Sequence, residues 1–197
     1  MRHLQWHPEL TPKIAILISG GGSNMVALVK DIHAGGYAIP SLVISEKALA
    51  AGVIKAQQLG VETLVIPYEA FERGDGFQEE IHVALVERKI DFICLAGFMR
   101  VLDAWFVEKW KDRILNIHPS LLPKYKGLHT HQRALDAGDS EAGCSVHLVT
   151  AELDGGPVLG QARVPILPDD TAESLAARIL PEEHKLYPKV LREYLSD

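Results

Sequence analysis

The feature that most constrains the fold is a series of short apolar segments that alternate with helical patterns. The first segment, residues 13–19 (KIAILIS), is a continuous apolar run, which predicts a central parallel strand covered on both faces. Further strands are predicted at residues 41–45, 63–67, 90–96 and 114–117, and helices at residues 25–33, 46–59, 77–88 and 103–110. This alternation predicts an α/β fold, a Rossmann-like, open, mostly parallel twisted sheet with helices on both faces.

The pattern changes in the C-terminal third of the chain. Residues 143–150 and 157–167 show the alternation of strands, and the connection between them is short and rich in turn residues. Such a connection predicts an antiparallel pair of C-terminal strands. Helices are predicted at residues 131–137, 171–180 and 182–194, with Pro181 ending the second of them. We therefore expect a single domain over residues 13–197, preceded by an N-terminal tail of residues 1–12.

Length and charge argue against several classes of protein. A chain of 197 residues can bury a full core, and a net charge of −6 without a Lys or Arg cluster argues against a nucleic-acid partner. No apolar run approaches the roughly 18 residues of a membrane span, so no membrane partner is expected. The N-terminus has no apolar signal-peptide core, and Cys94 and Cys144 fall inside predicted strands. These features predict a cytoplasmic protein.

A glycine-rich turn follows the first predicted strand at once. Residues 20–24 (GGGSN) join that strand to a helix, a geometry that points backbone N–H groups and a helix dipole at an anion. Met25 stands where a dinucleotide loop needs a third glycine, and the lysine of a nucleoside-triphosphate loop is absent, so NAD and ATP are disfavoured. A single phosphomonoester fits better, with Ser23 and Asn24 as side-chain donors. A tight turn without a ligand is the alternative.

A second polar motif lies at the end of the fifth predicted strand. Asn116 and His118 are two residues apart, so their side chains share one face of the strand. An amide donor beside a titratable ring suits carbonyl chemistry, but spacing alone favours a buried polar pair hydrogen-bonded to the backbone. The predicted strand ends at residues 20–24, at residues 97–102 and at His118 all lie at the edge where open parallel sheets bind ligands.

The sequence around Asn116 also resembles a known family. Residues 116–123 (NIHPSLLP), with Gly127 and residues 129–131 (HTH), are similar to the signature of the folate-dependent formyltransferases. Further matches are residues 22–24 with the phosphate loop of that family, residues 95–102 (LAGFMRVL) with its pterin-binding segment, and residues 150–157 (TAELDGGP) with its second signature. Together the matches extend over about residues 13–195, in the order and at the spacing of the family.

The resemblance implies a reaction and a catalytic set. The reaction moves a formyl group from 10-formyltetrahydrofolate to the primary amine of glycinamide ribonucleotide, a step of de novo purine (IMP) biosynthesis. Asn116 and a protonated His118 would donate hydrogen bonds to the tetrahedral oxyanion, and Asp154 would keep the His118 ring charged near neutral pH. His118, or a water held by Asp154, is the implied carrier of protons.

The resemblance also implies which residues bind the two substrates. The ribonucleotide set is Gly22, Ser23, Asn24 and Glu183, and the folate set is Arg73, Met99, Arg100, Val101, Leu102 and Asn116. The N-terminal half is accordingly expected to bind the phosphate and the C-terminal half the folate. We expect small-molecule substrates, a monomer or homodimer, no NAD and no metal. His129, His131 and His147 lie on different predicted elements and lack the spacing of metal ligands.

Two alternatives to formyl transfer remain at this stage. A formyltetrahydrofolate hydrolase uses the same catalytic residues with water as the acceptor, but it carries an N-terminal regulatory domain for which there is no room before residue 13. A non-catalytic folate- or nucleotide-binding module is the other alternative. The intact set of Asn116, His118 and Asp154 weighs against it.

Overall fold

A seven-stranded sheet organises the chain in the computed structural model, which describes residues 11–72 and 75–196. The strands are β1 (Lys13–Ile18), β2 (Ile39–Ser45), β3 (Glu62–Val65), β4 (Phe92–Leu95), β5 (Ile114–His118), β6 (Glu141–Leu148) and β7 (Val158–Pro165). Their order in the sheet is β3-β2-β1-β4-β5-β6-β7. The first five pair in parallel, whereas β6 and β7 are antiparallel to their neighbours. The predicted mixed sheet is confirmed.

Helices cover both faces of this sheet, also as predicted. They are α1 (Ser23–Gly35), α2 (Ala51–Gln58), α3 (Phe77–Glu87), α4 (Ala104–Lys109), α5 (Thr130–Asp136) and α6 (Ala172–Ser196), with a 3₁₀ turn at Tyr68–Ala70. Apolar residues of α1 and α6 build the core on one face of the sheet, and those of α3 and α4 build the core on the other. The fold is therefore a three-layer α/β sandwich.

Burial on both faces of the sheet explains why residues 14–18 of β1 are all apolar. Ile14, Ile16 and Ile18 enter the core shared with α1 and α6, whereas Ala15 and Leu17 enter the core shared with α3 and α4. All five side chains are fully buried. Because side chains alternate along a strand, a strand that is covered twice must be apolar at every position. Burial of each isoleucine or leucine contributes about 1.5–3 kcal/mol.

The start of α2 differs from the prediction. The sequence predicts this helix over residues 46–59, but it begins at Ala51. The Ser45 hydroxyl accepts a hydrogen bond from the Lys47 N–H at 3.1 Å and donates one to the Lys47 carbonyl at 2.9 Å. A side chain that bonds nearby backbone groups in this way stabilises a turn in place of a helix.

The prediction that a helix ends at Pro181 is wrong. Helix α6 runs from Ala172 to Ser196 without interruption and contains both Pro181 and Pro188. A proline inside a helix removes one hydrogen bond and costs about 3 kcal/mol. The buried residues of α6, which include Leu175, Ile179 and Leu191, pack into the core over its whole length, and this burial offsets the cost.

The order in which successive strands are added to the sheet reverses at β1. The connection through α1 leads from β1 to β2 on one side, whereas β4 pairs with the other side of β1. Ligands bind outside the carboxyl ends of the strands at such a switch point. The loops that follow β1 and β4 are joined there. The Ser19 N–H donates to the Gly97 carbonyl at 3.1 Å, and the Met99 N–H donates to the Ser19 hydroxyl at 2.7 Å.

Tyr187 on α6 ties the helix to strands β4 and β5. Its hydroxyl lies 2.9 Å from the carbonyl oxygen of Leu115 and 3.2 Å from that of Leu95, and the side chain is fully buried. We expect Tyr187→Phe to lower the free energy of unfolding by about 1–2 kcal/mol, because it removes the buried hydroxyl that bonds both carbonyl groups. Urea unfolding measures this change.

Tyr194→Phe is the matched control, because its hydroxyl donates to the Asp112 carbonyl at 3.0 Å in an exposed setting. Its loss of stability should be clearly smaller. Equal losses in the two variants would contradict the assignment of Tyr187 as the buried link between α6 and the sheet.

Candidate active site

The loop after β1 presents a bare helix start at the switch point. Gly22 is the N-cap of α1, has a left-handed conformation with φ of 68°, and leaves the helix without a side-chain cap. A Cβ atom at Gly22 would lie 2.8 Å from the Cα of Gly52 on α2, so only glycine fits between the loop and that helix. The first N–H groups of α1 have no intrahelical acceptor and lie at the positive end of its dipole. This arrangement suits an anion.

The predicted ribonucleotide residues come together at this helix start. The Asn24 side chain donates from Nδ2 to the Glu183 carboxylate on α6 at 2.6 Å, and both side chains are 8% exposed. The Oδ1 atom of Asn24 has no hydrogen-bond partner within the described residues. Burial raises the pKa of Glu183, and the hydrogen bond from Asn24 offsets part of this rise. Gly22, Ser23, Asn24 and Glu183 thus form one polar cluster built from the first and last helices.

The predicted catalytic residues meet at the end of β5. Asp154 lies in the connection between β6 and β7, with φ of 48°, a left-handed conformation that aspartate adopts more readily than most residues. Its Oδ2 atom is 3.4 Å from Nδ1 of His118 and accepts a hydrogen bond from the Gly127 N–H at 2.9 Å. The side chains of His118 and Asp154 are each 8% exposed.

Both ring nitrogens of His118 face oxygen atoms. Nε2 lies 2.9 Å from the carbonyl oxygen of Tyr125, and Nδ1 faces the Asp154 carboxylate. A ring that is protonated at both nitrogens donates to both of these acceptors. The sequence motif allowed either a polar pair hydrogen-bonded to the backbone or a site for carbonyl chemistry. The geometry has features of both, because one side of the His118 ring faces a backbone carbonyl and the other side faces a carboxylate.

His147 is a member of this cluster that sequence reasoning placed outside it. Its Nε2 atom is 3.1 Å from Nδ2 of Asn116 and 3.5 Å from Oδ1 of Asp154, and its Nδ1 atom lies 2.9 Å from the Leu148 carbonyl oxygen. The ring is buried, with 2% of its side chain exposed. The Nε2 atom of His147 therefore lies between the amide and the carboxylate of the predicted catalytic set, where it accepts from the amide when unprotonated and donates to the carboxylate when protonated. The signal that could have found it is the register of β5 and β6, which sets Asn116 opposite His147.

Asp154 is held in its ionised form by its neighbours. Burial alone would raise the pKa of Asp154. Hydrogen bonds from His147 and from the Gly127 N–H, together with the charges of His118 and His147, outweigh burial and lower the pKa below its usual value. The carboxylate is thus charged throughout the neutral range.

The predicted folate segment lies beside this cluster on the loop after β4. Met99 and Val101 are 63% and 67% exposed, whereas Leu102 is buried in the core. The Arg100 guanidinium stacks on the Tyr68 ring, with Cζ 3.7 Å from the ring centroid. Its Nε atom lies 3.5 Å from Oε1 of the buried Glu46. Exposed apolar side chains on a backbone segment at the strand end suit a flat aromatic ligand. Arg73, the remaining predicted folate residue, lies outside the described residues.

Two features are absent from the described parts of the chain. There, no group of three or more His, Cys, Asp and Glu side chains could hold a metal ion. Within the same ranges, no helix combines the length and the apolar character that crossing a bilayer requires. Of the predicted tail, residues 1–10 lie outside the described residues, and residues 11–12 carry no regular secondary structure.

The match to a family model establishes the class of protein that this fold and site define. The model of the formyl transferase family matches residues 12–191. The chain therefore belongs to the formyl transferase family.

Comparison with curated relatives narrows the class. The phosphoribosylglycinamide formyltransferase of Escherichia coli is 44% identical over 179 residues, which cover 90% of this chain and 84% of that protein. The trifunctional purine biosynthetic protein adenosine-3 of Drosophila melanogaster is 47% identical over 182 residues, which cover 91% of this chain but 14% of that longer protein.

Solved structures agree with this family assignment. A crystal structure of phosphoribosylglycinamide formyltransferase from Brucella melitensis has a TM-score of 0.90 and 50% sequence identity, and the match covers 95% of this chain and 97% of that one. Glycinamide ribonucleotide transformylase 1 from Symbiobacterium toebii has a TM-score of 0.92 and 38% identity, with coverages of 99% and 92%.

Glu183 generates a prediction about stability and pH. Because burial raises the pKa of Glu183 in the folded state, ionisation of this group destabilises the fold. The effect is absent at low pH, where folded and unfolded chains are both protonated, and it grows as pH rises from the unfolded pKa towards the folded one. We expect Glu183→Gln to stabilise the protein relative to wild type at about pH 7.5 but not at about pH 4.

Urea unfolding at the two pH values tests this expectation. The control is Glu182→Gln, because Glu182 is one residue away, is 33% exposed in its side chain and pairs with Lys185. Its effect on the unfolding midpoint should be similar at both pH values. An equal shift for Glu183→Gln at both pH values would show that ionisation of the buried carboxyl is not the cause.

Proposed function

We propose that the protein transfers the formyl group of 10-formyltetrahydrofolate to the amine of N1-(5-phospho-D-ribosyl)glycinamide. The products are formylglycinamide ribonucleotide and tetrahydrofolate, in de novo purine (IMP) biosynthesis. The observation that carries the proposal is the contact of Asp154 with His118, 3.4 Å long, beside Asn116 and at the sheet edge that also holds the bare start of α1. The names of the relatives, all connected with this reaction or with purine biosynthesis, support it.

The two substrates would occupy the two sides of the switch point. The phosphate of the ribonucleotide fits the helix start at Gly22, Ser23 and Asn24, and Glu183 faces the part of the nucleotide next to it. The pterin of the folate fits against the exposed segment Met99–Leu102, near Asn116. Arg73 remains a proposal for the glutamate tail. The reacting amine and formyl group then meet between these sites, at His118.

The chemistry of the transfer explains the need for these side chains. Attack of the amine on the formyl carbon converts the carbonyl oxygen into an oxyanion in a tetrahedral intermediate. Asn116 has two N–H groups, of which one faces His147, so that the other can donate to the oxyanion. His118 is the second donor once one of its ring N–H groups, which here face the Tyr125 carbonyl and the Asp154 carboxylate, turns to the oxyanion, and such a pair of donors stabilises the charge strongly.

The transfer also moves one proton from the attacking nitrogen to N10 of the folate. The amine loses a proton as its bond to carbon forms, and N10 takes up a proton as its own bond to that carbon breaks. His118 stands next to the reacting carbon, and the ionised Asp154 can hold a water in the same place. Either group can relay the proton, so the reaction balances without an added acid or base.

The proposed setting follows from the same features. The substrates are small molecules, and the donor set at the site is complete for acyl transfer without a metal ion or NAD. Cys94 and Cys144 are buried free thiols, as is usual in a reducing compartment, and this supports a cytoplasmic location. We propose a monomer or a homodimer.

A formyl-transfer assay tests the proposed function. Release of the folate product from 10-formyltetrahydrofolate is followed with and without glycinamide ribonucleotide. Product that forms only with the ribonucleotide supports the transferase. Product that forms equally without it would indicate a hydrolase, and no product in either case would favour a binding module.

Asn116 should matter mainly for the chemical step. We expect Asn116→Ala to lower kcat about a hundredfold or more while the KM for the ribonucleotide changes little, because the variant lacks a donor to the oxyanion. Steady-state kinetics measure both constants, and circular dichroism checks folding. A kcat within about threefold of wild type would rule out this role for the amide.

His147 should act by positioning Asn116 and Asp154. We expect His147→Ala to lower kcat roughly tenfold, because one hydrogen bond that orients the catalytic groups is lost. His82→Ala is the control, since His82 accepts a hydrogen bond from Trp110 on another part of the fold at 3.1 Å. A similar loss of kcat in both variants would point to a general effect on folding.

A further inference from the structure

A lysine on α2 is attached to the proposed phosphate loop. The Lys55 ammonium group donates to the Gly21 carbonyl at 2.8 Å, although the side chain is exposed. One turn earlier on the same helix, the Gly52 N–H donates to the Gly20 carbonyl at 3.0 Å. Two successive carbonyl groups of the loop are therefore turned towards α2.

These two hydrogen bonds decide which side of the loop faces an anion. In a planar trans peptide the carbonyl and the following N–H point in opposite directions. With the carbonyls of Gly20 and Gly21 turned towards α2, the N–H groups of Gly21 and Gly22 point away from α2. An anion at the start of α1 thus meets these N–H dipoles and neither of the two carbonyl oxygens.

Close packing fixes α2 in this place. A Cβ atom at Gly52 would lie 2.5 Å from Cδ1 of Ile18 and 2.9 Å from the Gly20 carbonyl oxygen, so the helix backbone rests directly on the loop. Lys55 follows three residues later and so projects from the same face of α2. An ammonium group has three donors, and the bond to Gly21 uses one of them.

A cation near the loop would offset the repulsion between a bound phosphate and the Glu183 carboxylate. The Glu183 carboxylate already lies against Asn24 at the same helix start, at 2.6 Å, so a phosphate would enter beside another acid. The buried Oδ1 atom of Asn24, an acceptor without a partner among the described residues, suits an N–H or hydroxyl group of a ligand next to the phosphate. Among the residues that the structure describes, Lys55 is a cation that contacts the loop itself.

We propose that Lys55 is a phosphate-recognition residue of the ribonucleotide site. Its ammonium group holds the Gly21 carbonyl away from the anion and brings a positive charge to the loop. This inference rests on the proposed function for the identity of the ligand, a phosphomonoester carried by the formyl acceptor. The residue acts on binding of the phosphate and takes no part in formyl transfer.

Kinetics with two acceptors test the proposal. Wild type, Lys55→Met and Lys55→Arg are compared with glycinamide ribonucleotide and with glycinamide riboside, which lacks the phosphate. We expect Lys55→Met to raise the KM for the ribonucleotide about tenfold, with kcat changed less than about twofold. Lys55→Arg should restore most of the affinity. With the riboside, wild type and Lys55→Met should be equal.

Lys30→Met is the matched control, because Lys30 is exposed on α1 and the variant loses the same charge. Its KM should stay at the wild-type value. An equal loss of kcat/KM for both acceptors in Lys55→Met would indicate a structural role and overturn the proposal. An unchanged KM for the ribonucleotide would overturn it as well.

A binding measurement separates this proposal from the proposed function. Calorimetric titration with inorganic phosphate requires no turnover, and binding should be weaker in Lys55→Met than in wild type. If that difference is found but no formyl transfer occurs, the role of Lys55 stands and the proposed function fails. If transfer occurs but neither the phosphate affinity nor the KM changes, only the role of Lys55 fails. Absence of both phosphate binding and transfer in wild type would refute both.

Discussion

The rest of the candidate site depends on the contacts of the Asp154 carboxylate. It faces Nδ1 of His118 and Nε2 of His147, and it accepts the N–H of Gly127. Burying a carboxylate is costly unless charged or polar partners surround it, and here it has three. The same contacts join the end of β5, the strand β6 and the loop that follows β5. The register sets Leu148, the last residue of β6, opposite Leu115 near the start of β5, and the β6–β7 connection then brings Asp154 back along β5 to His118 at its carboxyl end.

The parallel and the antiparallel parts of the sheet supply different chemical groups to the candidate site. The parallel strands β1 and β4 end in loops that offer mainly backbone N–H groups and a bare helix start, whereas β5 and the antiparallel strand β6 bring side chains together. Helix α6 crosses between these regions: Tyr187 contacts β4 at Leu95 and β5 at Leu115, and Glu183 contacts Asn24 on α1. The division into a phosphate-binding and a folate-binding half stays a prediction, and a ribonucleotide at Asn24 would draw on both ends of the chain.

Much of this could be predicted from the sequence, for physical reasons that also mark the limits. A buried parallel strand must be apolar on both faces, so the strands were visible as apolar runs. His147 was missed because its place depends on pairing with Asn116 across 31 residues of chain, and no local pattern encodes that register. Pro181 was misread because local rules count the cost of a proline, whereas the packing of the whole helix decides the outcome. The assignment of Arg73, outside the described residues, is still a prediction.

The contact of Gly22 with Gly52 has a consequence for redesign of the acceptor site. At this contact backbone lies against backbone, so neither Gly22 nor Gly52 has a side chain that could be shortened to make room for a bulkier acidic group. Extra space has to come from the opposite wall, where Glu183 on α6 can be replaced by a smaller residue. A change of acceptor would therefore begin at the last helix of the chain, although the loop that would hold the phosphate belongs to the first.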